Sequence, residues 1–429
     1  MKTHKILLLV LAAFIFGSQE LIAQPDYSPA DPEYYAMDRE HINFEDYHVF
    51  LFNYRGFVSP RQFSITQFTH VQFLPIAAEM YNFNLNFYDK GTERLIEDDV
   101  PVMWKSWIDD RGRFDPLGSN FRHNSPWIMV TQDESWRPNL AHRKGTFHKE
   151  KDKKWVSFSA ESWTSVAYKD DEVYIKLKLH NRNSESLDLT IIPNQVADDI
   201  ICQFKEGDTK AEPIDAFTIG SEVAHARVSS NIESISDKGF EVSIAPGQTA
   251  IYWFAVKFYQ PENGAPDIVQ QDIQERMEDA DRTTREKLAW AYNQLPKFSS
   301  SNKLLELYYY RCMLSMLMSR YENPNYIVDV FWAVGMWPYT ISWDNSYSSD
   351  ILAMLEPESL KGAILTDFEH VKMKRTYIGW NGAFWDNLYI QEPFALQIMI
   401  EAYLRHTNDY SIFEEVAADA TVWEWMQRW

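Results

Sequence analysis

The sequence predicts an α+β chain of more than one domain, in which an antiparallel β-sandwich precedes a helical region. Three observations predict this order. Apolar and polar residues alternate through much of 47–259, the pattern changes to helical spacing after an interruption at 260–266, and the 429 residues exceed what one hydrophobic core usually holds. We therefore expect at least two domains, the first built of strands and the second of helices.

The first 23 residues have the pattern of a secretory signal peptide. Lys2 and Lys5 precede an apolar run at 6–16, and Ala23 follows as a small residue suited to cleavage. The run is about a dozen residues long, whereas a membrane-spanning helix needs about 20. The sequence therefore predicts export to the periplasm or the medium, with no membrane partner after the signal is removed.

The charge and cysteine content exclude several classes of function. Asp and Glu total 62 against 41 Lys and Arg, and the formal net charge of −21 makes nucleic acid an unsuitable partner. Cys202 and Cys312 are the two cysteines of the sequence and fall in different kinds of segment, so we expect no disulfide framework. The sequence has no zinc-binding His-Glu-x-x-His motif, phosphate-binding glycine loop or Gly-x-Ser-x-Gly motif. We therefore predict no metal and no cofactor.

Strand patterns define a predicted β-sandwich domain over 24–260. Apolar residues at 83, 85 and 87 alternate with asparagines, and the same period of two recurs at 173–179. Turn residues such as Pro246 and Gly247 separate further short apolar runs. Many short strands joined by turns are typical of an antiparallel sandwich.

Helical signals follow the sandwich. The polar segment 261–298 predicts a linker helix at the surface, and serines at 299–301 can cap a helix over 303–320. Pro357 and Pro393 each suit the first turn of a further helix, because the missing proline N–H would have no partner there. The segment after Pro393 is apolar on nearly all sides, which predicts burial all round, and a last helix is expected from about Ser411.

Two aromatic loops carry the residues best suited to binding a ligand. The first, 331–350, contains Trp337, Tyr339 and the pair Trp343-Asp344, and the second, 377–393, contains Trp380 and Asn381. Sugars bind to such sites because an indole packs against the C–H face of a pyranose while a carboxylate accepts hydrogen bonds from its hydroxyls. The competing interpretation is that Asp344 caps a helix and that the tryptophans pack between helices.

The order of these loops resembles the start of the (α/α)6-barrel glycosidases, in particular glycoside hydrolase family 63 and its mannosylglycerate-hydrolase-like relatives, and more distantly the family 37 trehalases. In those enzymes an aromatic loop ending in Trp-Asp precedes a helix, and a glycine-containing loop then leads to Gln-Pro-Pro and an inner helix. Trp343-Asp344 matches the first motif, while Asn381-Gly382 and Gln391-Glu392-Pro393 resemble the second. The resemblance covers about a quarter of the chain.

The resemblance implies which residues contact the sugar. It assigns Trp343, Asp344, Asn381 and Gln391 to the subsite before the scissile bond, and the aromatic residues Trp337, Tyr339 and Trp380 line the same loops. Two positions depart from the family pattern: Tyr389 stands where trehalases have arginine, and Glu392 replaces a proline. These departures leave the sugar and its linkage open.

The resemblance also implies the activity. It predicts an inverting glycoside hydrolase acting on α-linked oligosaccharides, in which one carboxyl protonates the leaving oxygen and another activates water. Twelve helices close such a barrel, and about five are expected between Asn302 and Trp429. We therefore expect the region 299–429 to be the first part of a barrel, truncated before the catalytic acid and base.

Alternatives to this assignment stay open. Asp344 could itself be the acid, because Trp-Asp-Asn-Ser also resembles the acid loop of these families. A non-catalytic carbohydrate-binding accessory protein would use the same loops without cleavage. A polysaccharide lyase is disfavoured, since lyases usually carry their helical toroid before the β-sandwich.

Overall fold

The computed structural model describes eighteen separate stretches of the chain. They are residues 27–38, 51–54, 58–59, 71–73, 81–90, 128–151, 153–195, 216–220, 225–236, 239–259, 261–267, 272–318, 320–322, 330–332, 339–372, 377–379, 384–385 and 392–428. The α+β class with a large antiparallel sheet is confirmed. The sandwich and the barrel stay predictions.

An eight-stranded antiparallel sheet dominates the first part of the chain. Its order is β1-β5-β6-β7-β8-β14-β11-β10. The strands are β1 Met37–Asp38, β5 Ile128–Arg137, β6 Leu140–Lys151, β7 Lys154–Val166, β8 Glu172–Asn181, β10 Ala216–Gly220, β11 His225–Ser230 and β14 Thr249–Tyr259. The predicted run at 173–179 lies in β8, where Val173, Ile175, Leu177 and Leu179 are fully buried on one face.

A six-stranded antiparallel sheet has the order β12-β13-β9-β4-β3-β2. Its strands are β2 Val58–Ser59, β3 Val71–Phe73, β4 Tyr81–Asp89, β9 Leu187–Gln195, β12 Ile235–Ser236 and β13 Gly239–Ile244. Aromatic rings join the two sheets: Phe87 of β4 lies edge-on to Phe147 and Phe158, at centroid distances of 4.9 and 5.4 Å. Such edge-to-face pairs stabilise a core beyond the area that they bury.

Six α-helices lie within the described residues. They are α1 Ile273–Gln294, α2 Lys303–Met318, α3 Ser342–Leu355, α4 Pro357–Lys372, α5 Glu392–Thr407 and α6 Val422–Arg428. Short strands accompany them: β15 Arg320–Glu322, β16 Val330–Trp332, β17 Tyr339–Ile341, β18 Tyr377–Gly379, β19 Phe384–Trp385, β20 Val416–Ala417 and β21 Ala420–Thr421. None of the helices in these described stretches is long and apolar enough to span a bilayer.

The contacts divide the chain into two units. The first unit contains most of the strands and comprises the described residues within 36–53 and 58–284. The second comprises the described residues within 27–35, Tyr54, and those within 285–428. In the first unit, the beginning of α1 packs Ile273, Met277 and Ala280 against Tyr174 and Ala255 of the eight-stranded sheet. The predicted linker helix therefore has a buried face. The sequence did not predict this face, because it includes small residues such as Ala280 in place of large apolar ones.

Two helix predictions differ from the structure. The α5 helix is not buried all round, because Phe394 is 47% exposed and Gln397 and Glu401 are also exposed. The helix expected from Ser411 is a 3-10 helix, Tyr410–Glu414, followed by the hairpin β20–β21 before α6 begins. Ala418 takes a positive φ of 59° in the hairpin turn, and that conformation ends any continuous helix.

Candidate functional site

Backbone pairing brings the two predicted loops together. Strand β17 of the first loop pairs with β18 of the second, and β18 pairs with β19, so that the three strands form one antiparallel sheet. The register places Tyr339 opposite Gly379 and Tyr377 opposite Trp385. Segments separated by more than thirty residues in sequence are therefore joined by a hydrogen-bonded ladder.

The helix α3 begins directly after β17 and positions the Trp-Asp pair. Ser342 is its first residue, so Trp343 and Asp344 lie in the first turn. The helix dipole favours an acidic residue in the first turn, but Asp344 is the third residue of α3 and does not occupy the N-cap position before it. The backbone of Asp344 is described, whereas its side chain lies outside what the structure describes. Its role as a sugar ligand or as an acid stays a prediction.

The Trp343 ring is held by aromatic neighbours. Its centroid lies 5.2 Å from that of Tyr347 in an edge-to-face arrangement and 6.0 Å from that of Phe394 on α5. The side chain is half-buried, so packing fixes one part of the ring and leaves another part accessible. Both interpretations of this tryptophan, packing and ligand contact, are compatible with this position.

A row of small polar residues on α3 was missed in the sequence. Ser346, Ser348 and Ser349 are each at most 3% exposed, and their hydroxyls donate to backbone carbonyls three residues earlier at 2.6, 3.2 and 2.7 Å. Serine is uncommon in buried helical positions unless its hydroxyl is satisfied in this way. The helices α3 and α5 are in extensive contact, and the serines between 346 and 349 are the sequence signal for a buried polar face on α3.

A tight turn at Asn408 and Asp409 ends α5. Asn408 has a positive φ of 56°, the left-handed conformation that asparagine and glycine adopt most readily. Asp409 then accepts hydrogen bonds from the N–H and hydroxyl of Ser411 at 3.0 and 2.6 Å and from the hydroxyl of Tyr403 at 2.6 Å. The Ser411 hydroxyl, followed by that of Tyr403, lowers the pKa of Asp409 to about 2.

The remaining predicted ligands are placed only in part. Tyr339 lies in β17 with its side chain outside the described set, and Trp337, Trp380, Asn381 and Gln391 fall outside the described residues altogether. Within the described ranges, no three His, Cys, Asp or Glu side chains are grouped as a metal site would require. Burial raises the pKa of the free thiol of Cys312 to about 11, which disfavours the thiolate needed of a nucleophile.

Comparison with known proteins shows one fold. A solved structure described as "Putative kojibiose phosphorylase from human microbiome" matches 90% of this chain with a TM-score of 0.53 and 12% sequence identity. The chain spans 57% of the length of that protein. No protein-family model and no curated protein matches the chain. The likeness shows that the chain shares the fold of that structure, and it does not confirm family 63.

Proposed function

We propose that this chain is part of an exported carbohydrate-active enzyme that cleaves α-linked oligosaccharides or glycosides. The observation that carries the proposal is the sheet β17–β18–β19, because it joins the two aromatic loops that the sequence singled out for sugar binding. The fold shared with a protein described as a kojibiose phosphorylase supports the same class of substrate.

The chain would supply part of the sugar-binding subsite. Trp343 would pack its accessible surface against a pyranose ring, and the carboxylate of Asp344 would accept hydrogen bonds from sugar hydroxyls. Because the chain spans 57% of the length of the matched structure, the proposal concerns the intact protein. Cleavage with inversion would need an acid for the leaving oxygen and a nucleophile on the opposite face of the ring.

Phosphorolysis is the second candidate reaction, and the structural likeness favours it. The two reactions share the acid that protonates the glycosidic oxygen. In hydrolysis a carboxylate activates water, whereas in phosphorolysis inorganic phosphate attacks the anomeric carbon and leaves as a glycosyl phosphate. The products therefore distinguish them.

The activity test uses the intact protein and a set of α-linked disaccharides that includes kojibiose. Each is incubated with and without inorganic phosphate, and the products and their anomeric configuration are followed by proton NMR. Free sugar formed equally well in both conditions supports hydrolysis, and a glycosyl phosphate formed only with phosphate supports phosphorolysis. Failure of the intact protein to cleave any member of the set contradicts an enzymatic role.

The binding test uses two aspartates of the same helix. Asp344→Asn removes the negative charge from the proposed sugar contact, while Asp350→Asn changes an exposed aspartate that already accepts hydrogen bonds from Arg405 and His406. We expect at least about a tenfold loss of oligosaccharide affinity for the first variant and little change for the second, because hydrogen bonds to a charged group are each worth about 1.5–3 kcal/mol. Equal oligosaccharide affinities of the two variants, measured by calorimetry, would reject the assignment of Asp344 to the sugar-binding subsite. Binding that is sensitive to Asp344 but accompanied by no turnover would support the accessory protein instead.

A further inference from the structure

A hollow of about 140 Å³ lies on the eight-stranded sheet of the first unit, beside the beginning of α1. The hollow exists because two small residues are neighbours in the sheet: Ser229 of β11 is directly opposite Ala255 of β14. On its other side, Ala255 is opposite Tyr174 of β8. The hydrophobic residues of α1 cover the Tyr174 side of this row. The short side chains next to it leave the space unfilled.

Six charged side chains surround the hollow, and four of them are paired with each other. Arg276 bonds to Glu172, which also accepts from the Tyr174 hydroxyl at 2.6 Å, and Lys257 bonds to Asp170. Within each pair, the positive and the negative charge neutralise one another. The positions opposite one another in the sheet, Glu172 to Lys257 and Lys257 to Arg227, place these three side chains on the same face.

The other two charged side chains form no ion pair with any residue that the structure describes. Arg227 and Asp267 both line the hollow, and within the described residues neither forms an ion pair. The Nε atom of Arg227 is buried and has no hydrogen-bond acceptor in this part of the chain. A buried donor without an acceptor costs about 1–3 kcal/mol, more if it is charged, so this guanidinium favours a bound acceptor.

We propose that the hollow binds a small hydroxylated carboxylate, the chemistry of a sugar acid. The carboxylate would accept hydrogen bonds from the guanidinium of Arg227, whose planar fork matches carboxylate geometry. The hydroxyls would donate to Asp267 and Ser229. The volume is below the roughly 300–1,000 Å³ typical of sites for drug-sized ligands, which agrees with a ligand the size of one sugar ring or smaller.

The positions of the charges favour a hydroxylated monoanion over phosphate. Among the described residues that line the hollow, Arg227 is the cation outside an ion pair and Asp267 the carboxylate outside one, so a single negative charge belongs at Arg227 and hydroxyl donors belong at Asp267. A phosphate dianion would bring a second negative charge into a hollow that is also lined by the carboxylates of Asp170, Glu172 and Asp267, and these like charges would repel it. A neutral sugar would leave the guanidinium without a charged acceptor. This inference does not depend on the proposed cleavage reaction.

The test compares glucuronate, glucose and inorganic phosphate as ligands of the full chain by titration calorimetry or ligand-observed NMR. We expect glucuronate to bind at least about tenfold more tightly than the other two. Arg227→Gln should weaken glucuronate binding by about tenfold or more, since it removes the charge-assisted hydrogen bonds. Lys178→Gln, which changes a lysine of the same sheet already paired with Glu161, is the matched control and should leave binding unchanged.

A second variant distinguishes a loss of ligand contacts from a loss of the folded state. Asp267 is exposed, so Asp267→Asn should leave the melting temperature unchanged and still reduce glucuronate affinity. Glucuronate that fails to bind, binds no better than glucose or phosphate, or binds Arg227→Gln as well as the unmodified protein would overturn the proposal. Because the readout is binding in the β unit, a negative result here leaves the cleavage assay and the Asp344 assay unaffected.

Discussion

At the scale of residues, the ion pair between Glu172 and Arg276 carries the strongest prediction. The two side chains are 7% and 8% exposed, and the guanidinium also lies 5.4 Å from the centroid of the Tyr174 ring. Burial disfavours the charged form of the arginine, but the hydrogen bond and charge of Glu172 outweigh it and raise the pKa of Arg276. The guanidinium of Arg276 is therefore held in its charged form.

We expect Glu172→Gln to lower the free energy of unfolding by about 3–5 kcal/mol, because it leaves a buried guanidinium without its counter-charge. The control is Arg282→Ala on the same helix, which breaks the exposed pair with Asp279 and should cost less than about 1 kcal/mol. Urea unfolding followed by tryptophan fluorescence measures both. Similar losses in the two variants would show that burial does not set the strength of the pair.

Asp409 gives a prediction about pH. Its pKa is lowered from 3.8 to about 2, so its carboxylate stabilises the fold fully above pH 4, and this contribution is lost as the pH falls toward 2. We expect Asp409→Asn to melt at a lower temperature than the unmodified protein at pH 7. The difference in melting temperature between the variant and the unmodified protein should narrow steadily as the pH falls from 4 to 2. A gap that stays constant over this range would show that the charge is not what stabilises the turn.

At the scale of elements, the sheet β17–β18–β19 determines whether the two aromatic loops meet. The central strand β18 has a partner on each side. A backbone N–H in such a strand points toward one neighbour or the other, and proline has no N–H to donate. The pairing of the loops is therefore open to a test that changes one residue and none of the proposed ligands.

Ile378→Pro should remove a hydrogen bond of this sheet and lower oligosaccharide affinity by at least about tenfold. Ile378→Val keeps a β-branched residue and should bind as the unmodified protein does. Affinity is measured by calorimetry, and circular dichroism verifies that each variant retains its helices. If the proline variant is folded and binds normally, the strand pairing does not position the ligand site.

At the scale of the whole molecule, export is the prediction that the sequence supports most directly. Expression in a bacterial host with a Sec pathway should yield a protein that begins at Gln24, which intact-mass spectrometry will detect as the loss of 23 residues. Leu8→Arg places a charge in the apolar run and should keep the full-length chain in the cytoplasm. A periplasmic protein that still carries residues 1–23 would contradict the cleavage.

The sequence by itself determined the order of strands followed by helices, because the periods of two and 3.6 are local properties of the chain. It also placed Pro357 and Pro393 in the first turns of α4 and α5, since a missing N–H is a local property too. It could not show that the loops around Thr340 and Ile378 pair, that three serines of α3 are buried, or that Nε of Arg227 has no acceptor among the described residues. Those features depend on residues far apart in sequence, and only the tertiary structure decides which of them meet.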